Sequence, residues 1–123
     1  FIVHGHDGLD EISVCAATRV SELKDDMIRT YDLNPEQFFG ELADAEDMRG
    51  GTPEVNADIT KRILTGEEKG PKRNVVLLNA AMALVAAGKA ADAQEGIHKA
   101  EAVLDSGKAM EKLNDLVKFM QEN

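Results

Sequence analysis

The sequence has one cysteine, few basic residues and no hydrophobic run long enough to cross a bilayer. Cys15 has no second cysteine to pair with, which excludes an internal disulfide and predicts a reducing, cytoplasmic setting. The 14 lysines and arginines are outnumbered by 23 acids, and the net charge is −9. Because such a surface repels phosphate backbones, nucleic-acid binding is not expected. The longest mostly apolar run, Val75–Ala87, is too short for a membrane span, and no secretory leader is expected.

The length and the apolar content fit one globular domain. The 123 residues can enclose a modest core, and an apolar fraction of 43% separates the chain from disordered tails. The chain begins with Phe1-Ile2-Val3, which resembles a strand already under way. We therefore expect a piece of a longer protein.

Hydrophobic patterning divides the chain into three parts. Residues 1–33 are predicted to form strands and loops, with a short buried strand at residues 1–4 and an antiparallel hairpin at residues 17–33. Residues 34–51 are predicted to be a connector with one helical turn. Residues 52–123 are predicted to be helical.

Four helices are predicted in the last part. Thr52-Pro53-Glu54 is a strong helix start, and Asp92 with Glu95 forms a capping-box pattern. The run Val75–Ala87 is apolar nearly all round, so its helix is predicted to be buried.

A segment with glycines and three carboxylates follows the first strand. Gly5 and Gly8 let the backbone leave strand geometry, which would allow Asp10 and Glu11 to converge. Mg²⁺ takes one or two carboxylates and completes its shell with water and phosphate oxygens. From the segment alone, a magnesium site and a solvated acidic turn that begins at Asp7 are equally good interpretations.

Other candidate sites give weaker signals. His4 and His6 could bind Zn²⁺, but no cysteine or further histidine stands nearby, and a hydrogen bond from His4 to a substrate is the better interpretation. Cys15 has no activating neighbour and is predicted to pack as a small apolar residue.

Two further groups of residues could contact anions. Arg49–Pro53 places glycines before a helix but lacks the lysine of a phosphate-cradling loop, so a plain helix cap is favoured. Three basic residues near the next helix start are expected to be solvated or paired with Glu67 and Glu68: Lys69, Lys72 and Arg73.

Three separated blocks resemble the C-terminal part of the anthranilate phosphoribosyltransferases. The blocks are His4–Ser13, Arg49–Ala57 and Gly70–Ala81, with Thr18 between the first two. Their order and spacing fit this family from the first residue to near the last. Cys15–Thr18 replaces a Thr-Gly-Pro-Thr-like run.

The resemblance implies a glycosyltransferase, more narrowly a pentosyltransferase, of tryptophan and thus aromatic amino acid biosynthesis. It would transfer phosphoribosyl from phosphoribosyl pyrophosphate to the amine of anthranilate. It implies Mg²⁺ as cofactor, with Asp10 and Glu11 as metal ligands and Asp7 as a turn residue. His4 and Gly5 are expected near the substrate, and no residue is assigned to catalysis or to an organic cofactor.

The implied fold is α/β: the C-terminal portion of the large phosphoribosyltransferase domain. Residues 1–123 would supply edge strands of a mixed sheet, including the hairpin, packed by about four helices. A glycine-rich pyrophosphate loop, anthranilate-binding residues and a helical dimerisation domain would lie upstream, so this piece alone is expected to be inactive and the parent a homodimer. Two alternatives stay open: a pyrimidine-nucleoside phosphorylase-like glycosyltransferase, and a non-enzymatic acidic helical scaffold.

Overall fold

A computed structural model describes residues 1–122 and combines one small sheet with helices. The strands are β1 (Ile2–Gly5), β2 (Thr18–Lys24) and β3 (Met27–Leu33), in the order β1-β2-β3. Both strand pairs are antiparallel. The α/β class and the hairpin are confirmed, and the mixed character of a larger sheet stays a prediction. The prediction that the first strand is buried is wrong, since Ile2 on β1 is exposed.

The hairpin turns through two aspartates. Asp25 and Asp26 have φ angles of 51° and 60°, and Lys24 pairs with Met27 across the turn. Positive φ at both central residues gives the turn a twist that matches the right-handed twist of the strands. Aspartate is among the few residues that tolerate this conformation.

The helical part follows a short connector. Its elements are α1 (Glu36–Phe39), a 3₁₀ turn (Ala45–Met48), α2 (Pro53–Leu64), α3 (Pro71–Ala86), α4 (Ala93–Asp105) and α5 (Lys108–Glu122). The four long helices agree with the predicted number. The division into residues 1–33, 34–51 and 52–123 stays a prediction, and Asn123 lies outside the described residues.

Side chains cap the helix starts that the sequence marked. The Thr52 hydroxyl oxygen accepts a hydrogen bond from the Val55 N–H at 3.4 Å, and the Asp92 carboxylate accepts one from the Glu95 N–H at 2.9 Å. These caps satisfy backbone donors that the first turn of a helix leaves free.

The core lies between the sheet and α3 and α4. Val20 on β2 is fully buried and joins a cluster with residues of the helices and of the loop after β1. The other members of this cluster are Ile12, Val14, Leu33, Leu78, Ala81, Met82 and Ile97. A second cluster, Ile63, Leu77, Ala100 and Leu104, joins α2, α3 and α4.

Helix α3 is buried on one side only. Leu77 and Leu78 are buried, whereas Ala83 and Ala86 are exposed, so the prediction of burial all round is wrong. Alanine has the highest helix propensity and needs no burial to stay helical. Within residues 1–122, no helix is both long and apolar enough to cross a membrane.

Candidate functional site

The predicted site lies on the loop between β1 and β2, here called the site loop (residues 5–13). Its first turn is closed by backbone hydrogen bonds: the Gly5 N–H donates to the Leu9 carbonyl at 2.8 Å, and the Gly8 N–H donates to the Gly5 carbonyl at 2.9 Å. Gly8 has a φ of +93°, which favours glycine. The backbone therefore leaves the strand direction immediately after β1.

Gly5 has no room for a side chain. A Cβ placed there would lie 2.5 Å from Asp7 Oδ1 and 3.3 Å from the Leu9 carbonyl oxygen. Its N–H and its carbonyl are both used inside the turn. The visible role of Gly5 is thus to close the turn, and its nearness to a substrate stays a prediction.

Asp7 is tied into the same turn. Its Oδ2 accepts a hydrogen bond from the Ser13 hydroxyl at 2.6 Å, and its Oδ1 accepts one from the Leu9 N–H at 3.3 Å. The Ser13 hydrogen bond is the main cause that lowers the pKa of Asp7 below its ordinary value. Asp7 thus serves as a turn residue, as the resemblance implied.

Ser13 is itself held from several sides. It is buried, its N–H donates to the Thr18 hydroxyl oxygen at 3.0 Å, and its own hydroxyl oxygen accepts from the Cys15 N–H at 2.9 Å. The end of the site loop is therefore fixed to the start of β2.

Asn79 on α3 holds the residue that follows the acidic pair. Its Oδ1 accepts from the Ile12 N–H at 3.0 Å, and its Nδ2 donates to the Ile12 carbonyl at 2.8 Å and to the Val75 carbonyl at 2.9 Å. We call this arrangement the Asn79 clamp. In the sequence, Asn79 lies in a family-like block and no pattern indicates its role, because its partner Ile12 is 67 residues away.

Asp10 and Glu11 are exposed between these anchors. In the described part of the chain, neither carboxylate makes a hydrogen bond or an ion pair, and no group of three or more His, Cys, Asp or Glu converges as a metal cage. Mg²⁺ needs only one or two carboxylates when water and substrate phosphates supply the other ligands. Two exposed carboxylates on an anchored loop fit such a shared site.

His4 and His6, the two histidines around Gly5, have different neighbours in the structure. His4 is exposed on β1 and pairs in register with Arg19. His6 Nε2 lies 3.4 Å from Asp32 Oδ1, which also accepts from Arg19 Nε at 2.5 Å. Arg19 is the main cause that lowers the pKa of Asp32. The His6 ring therefore lies beside the Arg19–Asp32 ion pair of the hairpin, while His4 remains a candidate for contact with a substrate.

Cys15 has no feature of a nucleophile. It is half-buried, and burial is the first cause that raises the pKa of its thiol above the ordinary value. A raised pKa lowers the thiolate fraction at neutral pH, which fits the predicted packing role.

The basic cluster pairs with other partners than the predicted acids. Arg73 is buried, and its Nη2 donates to Asp105 Oδ1 on α4 at 2.9 Å; Lys69 Nζ lies 3.7 Å from the same oxygen. Lys72 Nζ donates to the Asp47 carbonyl oxygen. The prediction that these residues pair with Glu67 and Glu68 is therefore wrong. They contact Asp105 and Asp47 instead, because α4 and the 3₁₀ turn pack beside the start of α3.

A second loop ends in the predicted helix cap, and we call residues 49–52 the cap loop. Asn56 on α2 holds it: its Oδ1 accepts from the Gly51 N–H at 2.8 Å, and its Nδ2 donates to the Gly51 carbonyl at 3.1 Å. Together with the Thr52 cap, this supports the interpretation as a helix start.

Comparison with known proteins identifies the family. The sequence profile described as glycosyl transferase family, a/b domain, matches residues 1–110. The chain belongs to this family. The predicted resemblance to anthranilate phosphoribosyltransferases is also confirmed, because individual proteins of that name are similar to this member of the glycosyl transferase family.

Relatives with this name match nearly the whole chain. Anthranilate phosphoribosyltransferase of Desulfosudis oleivorans is 62% identical over all 123 residues, and that of Syntrophobacter fumaroxidans is 57% identical over the same length. In both cases the match covers 36% of the relative. The chain thus spans about a third of the length of the curated relatives it matches.

Solved structures share the fold. Anthranilate phosphoribosyltransferase (TrpD) from Thermus thermophilus is 39% identical with a TM-score of 0.85, over 97% of this chain and 35% of that one. The Saccharomyces cerevisiae enzyme in complex with PRPP and Mg is 29% identical with a TM-score of 0.82, over 98% of this chain and 35% of that one.

Proposed function

We propose that the full-length protein containing this chain is a Mg²⁺-dependent anthranilate phosphoribosyltransferase. It would transfer phosphoribosyl from phosphoribosyl pyrophosphate to the amine of anthranilate, in tryptophan biosynthesis. The observation that carries the proposal is the 62% identity, over all 123 residues, to a curated protein of that name. The proposal concerns the longer protein, since the match covers 36% of that relative.

Asp10 and Glu11 are the proposed metal ligands. Both carboxylates are exposed on a loop whose two ends are fixed by hydrogen bonds. When bound, Mg²⁺ would offset the charge that develops on a pyrophosphate leaving group. Without a cation, the same carboxylates would repel phosphates, so the pair suits a site that metal and substrate share.

Several further features belong to this proposal. His4 and Gly5 lie near the substrate, and the parent is a cytoplasmic homodimer that assembles through an upstream helical domain and binds neither nucleic acid nor membranes. The phosphorylase-like and scaffold alternatives are less favoured, because eight curated relatives at 47–62% identity carry the anthranilate phosphoribosyltransferase name.

The proposal is tested by the rate of anthranilate phosphoribosylation as a function of Mg²⁺ concentration. In the full-length protein, Asp10→Asn with Glu11→Gln should cut the rate at fixed Mg²⁺ by at least the roughly 10- to 100-fold that loss of one outer-shell partner costs at metal sites. The 123-residue chain alone should show no turnover.

A matched control removes two exposed carboxylates elsewhere. Asp25→Asn with Asp26→Asn makes the same charge change at the hairpin turn, and asparagine tolerates their positive φ angles. This variant should keep the wild-type Mg²⁺ dependence. An unchanged Mg²⁺ dependence in the Asp10/Glu11 variant would contradict the metal site, and phosphorolysis of thymidine by the full-length protein would decide for the phosphorylase.

A further inference from the structure

We infer that Asn79 is a positioning residue that holds the carboxylates of Asp10 and Glu11 where the metal and the phosphates need them. The inference rests on the proposed function of that carboxylate pair. Its basis is the Asn79 clamp, which joins the third turn of α3 to the backbone of Ile12, the residue directly after Glu11.

Ile12 needs such a partner because its backbone lies outside every strand. Ile12 as a whole residue is 2% exposed, and its side chain belongs to the main core cluster together with Leu78 and Met82 of α3. A buried N–H and a buried carbonyl must find hydrogen-bond partners, and no strand ladder supplies them here. The primary amide of Asn79 presents one acceptor and one donor, as a neighbouring strand would.

The orientation of the Asn79 amide is fixed by a third contact. Its Nδ2 also donates to the Val75 carbonyl, one turn earlier on α3, at 2.9 Å. The nitrogen therefore faces two carbonyl oxygens, and the oxygen faces the Ile12 N–H. Aspartate lacks the donor, and alanine lacks both groups, so asparagine is specifically suited to this position.

The clamp leaves few residues free to move. The Gly5 N–H fixes the Leu9 carbonyl, and Asn79 fixes Ile12, so only two residues of the loop lie between these points: Asp10 and Glu11. A shift of the Ile12 backbone would be passed on directly to Glu11. Loss of a group that hydrogen-bonds a metal ligand typically lowers metal affinity about 10- to 100-fold, and Asn79 acts one residue away, through the backbone of Ile12.

The test measures two quantities in the full-length protein: the Mg²⁺ affinity in the presence of phosphoribosyl pyrophosphate without anthranilate, by isothermal titration calorimetry, and the Mg²⁺ concentration that gives half of the maximal rate. Asn79→Ala should weaken the affinity and raise this concentration by about 10-fold, the lower end of the range for lost outer-shell partners, because Asn79 acts through the Ile12 backbone. Saturating Mg²⁺ should restore most of the rate, and the KM for anthranilate should stay unchanged. Asn79→Ser, whose hydroxyl can still donate to the Val75 carbonyl one turn earlier, loses only the hydrogen bonds to Ile12; it should give a shift in the same direction and serves if the alanine variant does not fold.

Two controls separate positioning from loss of stability. Asn56→Ala removes the same pair of backbone hydrogen bonds from the cap loop, and Leu104→Ala opens a hole in the second core cluster away from the site loop. Both variants should keep the wild-type Mg²⁺ dependence.

The outcomes distinguish this inference from the proposed function. If the Asn79 variants lose stability but keep the wild-type Mg²⁺ dependence while the Asp10/Glu11 variant loses it, positioning by Asn79 is wrong and the metal site stands. If the Asp10/Glu11 variant also keeps the wild-type dependence, both fail together.

Discussion

Two loops of this chain are each held by an asparagine that bonds to both backbone groups of one residue. In the site loop, Asn79 binds the backbone of Ile12, which is 67 residues away in the sequence, and these hydrogen bonds are partly buried. In the cap loop, Asn56 holds Gly51 across five residues at an exposed position. The chemistry of the two clamps is the same, and their surroundings differ.

The difference shows what a long-range clamp adds. The Asn56 clamp closes a loop onto the helix that follows it, which local sequence already favours through the Thr52 cap. The Asn79 clamp fastens a loop after β1 to a helix that packs on the other side of the core. The Asn79 clamp therefore fixes one end of the exposed, charged segment Asp10-Glu11 to a helix of the core.

The largest expected difference is in stability after loss of each clamp. Asn79→Ala leaves the buried N–H and carbonyl of Ile12 without partners, and it should lower the free energy of unfolding by about 2–4 kcal/mol. Asn56→Ala exposes the Gly51 groups to water and should cost about 0.5–1 kcal/mol. Urea denaturation of the full-length protein measures both.

Equal costs for the two variants would mean that the surroundings of the clamps do not matter. Hydrogen exchange adds an independent check, because the Ile12 N–H should be strongly protected in the wild type and lose that protection in Asn79→Ala. The Gly51 N–H should exchange faster than the Ile12 N–H in the wild type.

The sequence predicted the features that depend on neighbours in the chain. The hairpin at residues 17–33 and the helix start at Thr52 follow from alternation, turn residues and capping chemistry, which act over a few residues. The helix at residues 71–86 was found, but its exposed side was not, because alanine-rich patterns are compatible with either environment.

The site was only partly predictable. Asp10 and Glu11 stood out because they follow an apolar strand and a turn with two glycines, and the resemblance implied a metal role for them, which stays a prediction. The Asn79 clamp and the ion pair of Arg73 with Asp105 could not be read from the sequence, since both join residues more than 30 positions apart. Such contacts depend on how α3 packs against its neighbours.

A second difference concerns the crowding of glycines in the two loops. A Cβ at Gly5 would lie 2.5 Å from the hydrogen-bonded Asp7 carboxylate and 3.2 Å from Leu9 Cβ, so Gly5→Ala should cost about 1–3 kcal/mol. A Cβ at Gly50 would meet only the amide of Asn56, which lies at the surface and can move, and Gly50→Ala should cost about 1 kcal/mol or less.

Thermal denaturation of the two alanine variants, side by side, gives this difference directly. An equal loss in both would indicate that the turn of the site loop adjusts as easily as the cap loop. A larger loss of thermal stability in Gly50→Ala than in Gly5→Ala would contradict the prediction that the site loop is the more rigid of the two loops.

The smallest expected difference is in the response to acid. The Ser13 hydrogen bond lowers the pKa of Asp7, while Glu54 beside the cap loop has its pKa lowered chiefly by its own backbone N–H and then by Thr52. A carboxyl whose pKa is lower in the folded state stabilises fully above its unfolded value, near pH 4, and loses that contribution as the pH falls through the folded value. Since Asp7 is exposed, its contribution should be less than about 1 kcal/mol.

Urea midpoints between pH 7 and pH 2.5 test this response. Asp7→Asn should be less stable than the wild type at pH 7, and the gap should narrow below pH 4, because protonation of Asp7 removes the charge-assisted hydrogen bond from Ser13. Glu54→Gln should change the midpoints less, because the Glu54 carboxylate is fully exposed and bonds only within its own helix start. A gap that stays constant from pH 7 to pH 2.5 in Asp7→Asn would mean that Asp7 holds the site loop by its shape and not by its charge.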